Sequence, residues 1–352
     1  MSKKSITEAA KKQAQKNFNP NDIRELLGLE PMQPPKEQQW LPLSDGFQQA
    51  LSLPGIPLGR ITLLRGHSDT GKTTALYEAA ISAQKRDILP VFISTEAKED
   101  FSHAKLMGLE TELRVDEETG EMFPSFLKYT LNDFNSIEGI AKLINDTIDL
   151  QEKGKIPFDL LFLWDSIGSV PCELNLTSKT FNNEWNAGAM ERVFSKGVNN
   201  RINNSMDKSS KFTNTLVCVN KVWTSKPDNP MGQPRMENKG GNAMWYDASL
   251  IVTFGNIKNS GSSKIKAINK GKQVIFASRV NVVVEKNHQT GVSTRSKIIT
   301  TPHGLIPDSE SALKKYKKDS MDFWAEILGG AEFKLVATDT PETGSEQFTQ
   351  EP

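Results

Sequence analysis

The residues best suited to chemistry lie in the segment RITLLRGHSDTGKTT, from Arg60 to Thr74. Its spacing fits G-x-x-x-x-G-K-[ST], a phosphate-binding loop followed by a helix. In such a loop the glycines turn backbone N–H groups toward phosphate oxygens, Lys72 reaches the β and γ phosphates, and Thr73 offers its hydroxyl to Mg²⁺. A glycine turn with an incidental lysine is the alternative, but an apolar strand precedes the loop and a helical pattern follows it. The pattern therefore predicts a nucleoside triphosphate ligand. The predicted contacts are Gly66, His67, Ser68, Asp69, Thr70, Gly71, Lys72, Thr73 and Thr74.

Two carboxylates follow other apolar runs. DLLFLWDSIG reaches Asp165, which could hold Mg²⁺ directly or through water while Ser166 tunes that shell. FISTE ends in Glu96, which could polarise the water that attacks the γ-phosphate. Simpler alternatives exist, since Asp165 could be a helix cap or turn former and Glu96 a solvated residue at a helix start. Downstream of a phosphate loop the metal role is favoured for Asp165. Glu96 is our candidate catalytic base, an assignment that depends on the resemblance described below.

These side chains can meet only in a fold that brings the ends of several strands to the same edge of a sheet. From Leu41 to about Leu305 short apolar runs alternate with helical ones, which predicts an α/β fold with a mainly parallel sheet and helices on both faces. Ligands should then gather at the carboxyl ends of the strands. The later runs SLIVTFGN, QVIFASRVNVVVEKN and SKIITTP are predicted to extend the sheet antiparallel, and VDEETGEMF predicts an exposed hairpin or turn insertion.

The predicted organisation has four parts. Residues 1–40 form an arm and a proline-rich linker, 41–308 the ATPase-like core, 309–336 a C-terminal helix region, and 337–352 a disordered acidic tail. In the arm, Asn21 or Asp22 could cap a short helix. That arm is either solvated or docked on a neighbouring subunit.

Composition limits the classes of function. The 43 basic and 43 acidic residues cancel, so any nucleic-acid contact must come from local patches. Cys172 and Cys218 lack metal-ligand spacing and are predicted to be buried thiols. The sequence shows neither a signal-peptide pattern nor an apolar run long enough for a membrane span, which predicts a cytoplasmic protein without a membrane partner.

Two predicted loops could hold single-stranded nucleic acid. The strand TLVCVNKVW ends in Asn220 and Lys221, and the segment TSKPDNPMGQPRMENKGGNA that follows is long and locally basic. Basic groups and aromatic rings suit phosphates and base faces, although a mobile loop without a partner is the alternative. The other candidate loop lies earlier in the chain, from Pro171 to Gly188, and is called the first loop below. The candidate contacts in the two loops are Lys179, Trp185, Trp223, Lys226, Arg235 and Lys239.

Several segments follow one another in a fixed order: the phosphate loop, the strand-end glutamate followed by EDFSHAKLMGLE, DSIGSVP, NKVW, GGNAMWYDAS and VVVEKNH. Over about Leu41 to Leu305 this order resembles the RecA-type recombinases, closer to the UvsX-type phage recombinases than to bacterial RecA. The resemblance implies a DNA-dependent ATPase that uses ATP and Mg²⁺. It also implies filaments on single-stranded DNA that pair this strand with homologous duplex DNA and exchange strands.

The resemblance also assigns roles to single positions. Asp100 and His103 fall where the family contacts adenine, and Gly240 and Gly241 would be the hinge of the second DNA-binding loop. Lys286 and His288 match the side chains that the family sends across the subunit interface into the neighbour's ATP site. The arm would dock on the adjacent subunit to build a helical filament, single-strand-binding and mediator proteins would assist loading, and a phage-encoded chain would act in the host cytoplasm.

The chain departs from the family pattern in three places. Lys221 stands where bacterial RecA has a glutamine that senses the γ-phosphate, so Lys221 could bond that phosphate as a point charge. His288 places an imidazole at the second transfacial position. One helix and an acidic tail are predicted where bacterial RecA has a separate C-terminal DNA-gathering domain.

Two other functions use the same core. A hexameric replicative helicase would need an extra domain that about forty N-terminal residues cannot supply. A RecA-like ATPase acting as a mediator or regulator is disfavoured by the basic, tryptophan-containing loop.

Overall fold

The structure is a computed structural model and describes residues 11–13, 15–16, 18–29, 31, 34–96, 101–115, 120, 122–225, 235–238, 241–256 and 262–338. Helix α1 (Pro20–Leu26) begins after Asn19, whose side chain accepts a hydrogen bond from the Asn21 backbone N–H at 3.1 Å. The predicted cap at Asn21 or Asp22 is therefore wrong. Pro20 begins the helix because its fixed φ suits the first turn and its missing N–H is not needed there.

The further elements follow in chain order. The strands are β1 (Trp40–Leu41), β2 (Ile56–Pro57), β3 (Ile61–Gly66), β4 (Ile88–Ser94), β5 (Leu113–Val115), β6 (Met122–Pro124), β7 (Leu127–Tyr129), β8 (Asp159–Ile167), β9 (Asn214–Ser225), β10 (Arg235–Asn238), β11 (Leu250–Phe254), β12 (Ser262–Asn269), β13 (Lys272–Asn287), β14 (Arg295–Thr301), β15 (Gly304–Pro307) and β16 (Lys334–Ala337). The helices are α2 (Asp45–Leu51), α3 (Lys72–Gln84), α4 (Ser102–Met107), α5 (Ile137–Glu152), α6 (Glu173–Thr177), α7 (Asn183–Met190), α8 (Asn199–Asn204), α9 (Ala243–Asp247), α10 (Glu310–Asp319) and α11 (Met321–Leu328). A π-helical stretch, Glu191–Val198, joins α7 to α8.

One large sheet carries the core, with strand order β15-β14-β13-β11-β3-β9-β8-β4-β7. The strands from β11 to β7 pair in parallel, and β13, β14 and β15 pair antiparallel, which confirms the predicted α/β fold with an antiparallel extension. The prediction was wrong for SLIVTFGN, because β11 lies parallel to β3, with Phe254 opposite Gly66. Helix α9 lies on the crossover that a parallel connection requires.

Helices cover both faces of the parallel strands, and alternate side chains sort into two apolar clusters. Leu64 on β3 and Leu163 on β8 pack with helix α3, whereas Leu63 and Trp164 pack with α5 and the helix that follows α7. Residues at the carboxyl ends of these strands divide in the same way, because side chains alternate along a strand. Asp165 therefore shares the α3 face.

The C-terminal part adds a smaller layer. Phe276 and Trp324 lie in a third cluster between the β12–β13 hairpin and helices α10 and α11. The single last helix that we predicted is in fact two helices, separated at Ser320. Strand β16 pairs with β12 through Ala337, and residues 339–352 of the predicted tail lie outside the described residues.

Three smaller predictions also have an outcome. Strands β5 and β6 pair antiparallel, as expected for the hairpin insertion. Cys172 and Cys218 are buried free thiols, which confirms that prediction. Across the described part of the chain, no helix has both the length and the apolar character needed to cross a membrane.

Candidate nucleotide site and nucleic-acid interface

The phosphate loop joins the buried strand β3 to helix α3, as predicted. Gly66 has a φ of +147°, and a Cβ atom there would lie 2.0 Å from the Phe254 carbonyl oxygen. Gly71, at the start of α3, has a φ of +92°. Since L side chains rarely adopt these angles, the two motif glycines let the loop turn tightly while β3 stays paired with β11.

Lys72 is held inside the loop and is only 5% exposed. Its Nζ donates a hydrogen bond to the His67 carbonyl oxygen at 2.5 Å. Burial lowers the pKa of Lys72 to about 8, and the attraction of Asp165 opposes that change. A phosphate bound in the loop would favour the charged ammonium and restore its pKa.

Thr73 and Asp165 meet at the end of strand β8. The Thr73 hydroxyl donates to Asp165 Oδ2 at 2.7 Å. Burial raises the pKa of Asp165, and the hydrogen bond from Thr73 opposes it. A hydroxyl oxygen beside a carboxylate is a donor set that Mg²⁺ accepts alongside phosphate and water oxygens, so these residues fit the predicted metal.

Glu96 lies beside them, after strand β4. Its Oε1 accepts a hydrogen bond from the Ser166 hydroxyl at 2.9 Å and forms an ion pair with Lys221 Nζ at 2.7 Å. Burial alone would raise the pKa of Glu96, but the bonds from Lys221 and Ser166 outweigh it and the pKa is lowered. Glu96 is therefore ionised near neutral pH, as a base must be. Lys221 therefore contacts the candidate base.

A pair of hydrogen bonds that the sequence did not indicate fixes these strand ends. Thr95 Oγ1 accepts from the Ser166 backbone N–H at 2.7 Å and donates to the Ser166 carbonyl oxygen at 2.9 Å. Because both ends of this contact are buried, β4 and β8 hold Glu96 and Asp165 at a set separation. Lys72, Thr73, Glu96, Asp165 and Lys221 together are called the nucleotide site below.

Of the two residues predicted to contact adenine, the structure describes one. His103 lies on helix α4, where its Nε2 is 2.9 Å from the Pro302 carbonyl oxygen and its ring meets Tyr77 edge-on at 5.7 Å between centroids. Asp100 lies outside the described residues. Contact with adenine stays a prediction for both.

The first candidate DNA loop, Pro171 to Gly188, contains two short helices, α6 and α7. Asn182 starts α7 by accepting a hydrogen bond from the Glu184 backbone N–H at 2.8 Å, so this segment is more ordered than the predicted loop. Lys179 is exposed between the helices. The Trp185 ring is half-buried and packs against the core.

The second candidate loop rises from a two-stranded ribbon. We predicted that its strand ends at Lys221, but β9 continues to Ser225 and pairs antiparallel with β10. Valine, tryptophan and threonine favour this extension. Trp223 and Arg235 lie on this ribbon, and their side chains lie outside the description. Lys226, Lys239 and Gly240 lie outside the described residues.

Gly241 closes the second loop against the first. Its φ is +86°, and a Cβ atom there would lie 2.7 Å from the Ala187 Cβ on helix α7. Glycine is therefore required by both angle and space. The bases of the two candidate DNA loops touch at this point.

The predicted transfacial residues do not reach the phosphate loop of their own chain. Lys286 pairs in register with Ile251, which pairs with Leu63, so Lys286 lies roughly 10 Å back along the strand direction from Gly66. Its Nζ donates to the carbonyl oxygens of Trp245 at 3.1 Å and Tyr246 at 2.7 Å. His288 is exposed just after β13.

Arg65 is a site residue that the sequence analysis missed. It lies one residue before the end of strand β3, on the face opposite α3, and is 7% exposed. Its guanidinium contacts four side chains, and with Arg65 they form what we call the Arg65 cluster. The members are Asn238 at 3.1 Å, Thr253 at 2.9 Å, Glu285 at 2.5 Å and the Trp245 ring, 4.3 Å from its centroid. The available signal was a charged residue closing the apolar run ITLL.

Comparison with known proteins finds similarity to RecA proteins. Residues 5–124 match the family model of the RecA N-terminal domain. The chain is 26% identical to Protein RecA of Mycoplasma pneumoniae over 204 residues, which are 58% of this chain and 52% of that protein. It is 23% identical to Protein RecA of Nitratidesulfovibrio vulgaris over 284 residues, 76% of this chain and 69% of that protein. With Protein RecA of Syntrophus aciditrophicus the identity is 28% over 240 residues, 68% and 58% of the two chains.

The match therefore spans between about half and about two thirds of these relatives. The closer likeness to UvsX-type phage recombinases stays a prediction. At the coarser level, the matched domain and these low-identity relatives support a RecA-type family for this chain.

Proposed function

We propose that this protein is an ATP-dependent DNA recombinase, which polymerises on single-stranded DNA and exchanges that strand with homologous duplex. One observation carries the nucleotide half of the proposal. The chain gathers a buried lysine, a hydroxyl–carboxylate pair and an ionised glutamate at the carboxyl edge of a parallel sheet. Each group has a defined task in phosphoryl transfer. Similarity to RecA proteins supports the DNA half.

In hydrolysis, Glu96 would orient and polarise the water that attacks the γ-phosphate, since its carboxylate is ionised and partly accessible. Lys72 would stabilise the charge on the transferring phosphoryl oxygens from within its loop. Thr73 and Asp165 would hold Mg²⁺, which neutralises phosphate charge when bound.

Lys221 would have two partners in turn. In the structure it pairs with Glu96 at 2.7 Å. A γ-phosphate offers the ammonium a more highly charged partner, and Lys221 leaving Glu96 would free the base as the substrate arrives. This exchange would replace the glutamine sensing of bacterial RecA.

The remaining charge would come from a neighbouring subunit. Lys286 lies far from its own phosphate loop, at the end of a strand beside exposed His288. A head-to-tail filament would bring these side chains to the neighbour's nucleotide site. The exposed apolar residues of the N-terminal segment, such as Leu26 and Leu27, suit the docking of that arm on the next subunit.

The DNA would bind along the ribbon β9–β10 and helices α6 and α7, whose bases meet at Gly241. The proposal includes the finer likeness to the phage enzymes, a cytoplasmic location, and loading by single-strand-binding and mediator proteins. The predicted division into arm, core, helix region and tail belongs to it as well.

The test uses the purified full chain with ATP, Mg²⁺ and single-stranded DNA. Filaments in electron micrographs and joint molecules with a homologous duplex are expected. Lys72→Ala should abolish joint molecules by removing the buried cation, whereas Lys85→Ala, on the exposed end of the same helix, should not. Closed rings that unwind forked DNA would indicate the helicase instead, and ATP turnover indifferent to DNA would indicate the regulator.

A further inference from the structure

We propose that Arg65 is a positioning residue that couples the β9–β10 ribbon to Lys286, and the proposal rests on the function given above. Arg65 precedes the first glycine of the phosphate loop, but its side chain lies on the opposite face of the sheet from Lys72. Within the described part of the chain, its hydrogen bonds go to Thr253, Asn238 and Glu285, which belong neither to the phosphate loop nor to the Thr73–Asp165 pair. Its role is therefore distinct from the nucleotide chemistry.

The guanidinium joins three separate parts of the chain. One Nη donates to Asn238, at the end of the ribbon that carries the second loop, and the other donates to Glu285 on β13. Nε donates to Thr253 on β11. A planar fork with several fixed donors can hold three acceptors at once, which the single ammonium of a lysine cannot reproduce.

The stacking partner extends this connection to Lys286. The Arg65 guanidinium lies 4.3 Å from the centroid of the Trp245 ring, on helix α9. The Trp245 carbonyl oxygen accepts a hydrogen bond from Lys286 Nζ at 3.1 Å. Lys286 also directly follows Glu285 on β13, so the same cluster sets both its strand position and its hydrogen-bond acceptor.

The buried contacts of Arg65 would transmit a displacement from one partner to the others. Arg65 is 7% exposed, and a buried guanidinium that loses a partner is left with an unmatched charge. Gly241 has no space for even a methyl group beside Ala187, so the loop base is also fixed from the side of the first loop. A shift of the ribbon on binding DNA would therefore displace Asn238, and through Arg65 it would displace helix α9 and Lys286.

The experiment measures ATP turnover of the full chain with and without poly(dT), together with the affinity for a fluorescent ATP analogue. Arg65→Lys and Asn238→Ala should each lower the DNA-stimulated kcat about tenfold or more. The DNA-free turnover and the nucleotide affinity should stay within about twofold, because the nucleotide site is not touched. Arg60→Lys, immediately before the same strand, is the matched control and should leave all three values unchanged.

The outcomes separate this proposal from the proposed function. A wild-type chain without DNA-stimulated turnover would overturn the function itself. Wild-type stimulation that persists in both folded variants would overturn only the role of Arg65. Asn238→Ala removes a half-buried contact and keeps the test decisive if Arg65→Lys fails to fold. Loss of nucleotide affinity equal to the loss of kcat would show that Arg65 acts only as structural support, which also contradicts the proposal.

Discussion

The nucleotide site and the Arg65 cluster lie at the same edge of one sheet, on opposite faces, and are built in different ways. In the nucleotide site Lys72 contacts its own loop, and the Glu96–Lys221 pair remains partly open to solvent. In the Arg65 cluster one cation meets all its partners and is closed from water. Groups that must exchange partners during turnover need access, whereas groups that transmit position need fixed partners.

The two regions also differ in what completes them. The nucleotide site has the charges for binding and water activation from a single chain. Lys286, supported by the Arg65 cluster, lies away from that chain's phosphate loop. We infer that the two regions come together only between subunits, with the Arg65 side of one chain serving the nucleotide site of the next.

The largest expected effect comes from a substitution that changes the nucleotide site and leaves the Arg65 cluster intact. Glu96→Gln keeps the shape of the side chain but removes the carboxylate that polarises water, so kcat for ATP should fall by about 100-fold or more. Binding of a fluorescent ATP analogue, measured by titration, should remain within about threefold. Glu112→Gln, at an exposed position, is the control. Unchanged hydrolysis in the Glu96 variant would remove it from catalysis.

A second substitution tests Lys221, the solvent-accessible cation of the nucleotide site, in contrast to the buried Arg65. The hydrogen bond from Lys221 lowers the pKa of Glu96 against the effect of burial. Lys221→Met removes that bond, so the pKa of Glu96 should rise, and the acidic limb of the pH profile of kcat/KM should move to higher pH. Lys85→Met should leave the profile in place. A limb that stays in place, or moves to lower pH, would show that Glu96 is not the group that titrates.

The smallest effect concerns the support of helix α3. Glu78 accepts hydrogen bonds from the Ser44 hydroxyl at 2.8 Å and the Leu305 backbone N–H at 2.7 Å. Burial raises its pKa from 4.5 to about 7, against the effect of those bonds. The folded state therefore holds this proton more tightly than the unfolded state, and its stabilising contribution is full below about pH 4.5 and is lost as the pH rises to about 7.

As the pH rises from 5 to 8, the wild type should lose stability because Glu78 must ionise in a buried site. The Glu78→Gln variant has no charge to bury, so the decrease in its free energy of unfolding over this range should be smaller by about 1 to 3 kcal/mol. Urea unfolding at the two pH values measures the difference. Glu112→Gln should follow the wild type. Parallel pH dependence in the wild type and the Glu78 variant would contradict a buried, protonated carboxyl.

The sequence predicted most of the nucleotide site because its members follow local rules. The phosphate loop is contiguous. Asp165 lies near the carboxyl end of β8 and Glu96 follows β4, so a parallel sheet had to bring them together. It could not predict the Glu96–Lys221 pair, since the bond depends on side-chain reach between strands that are not neighbours.

The Arg65 cluster was missed for a related reason. Arg65, Asn238 and Glu285 are widely separated in the chain, and no short motif links them. The parallel direction of β11 was missed because an apolar run has no direction of its own. The extension of β9 past Lys221 was missed because glycine, proline and asparagine further on suggested an earlier end to the strand.

Mixing two inactive variants tests most directly whether one chain's Lys286 completes the next chain's nucleotide site. Glu96→Gln and Lys286→Ala proteins, each with little DNA-dependent ATP turnover, are combined in equal amounts with single-stranded DNA. In a head-to-tail filament about one interface in four pairs an intact Glu96 with an intact Lys286, so turnover should recover to about a quarter of wild type. Turnover no greater than the mean of the two separate variants would contradict a site shared between subunits.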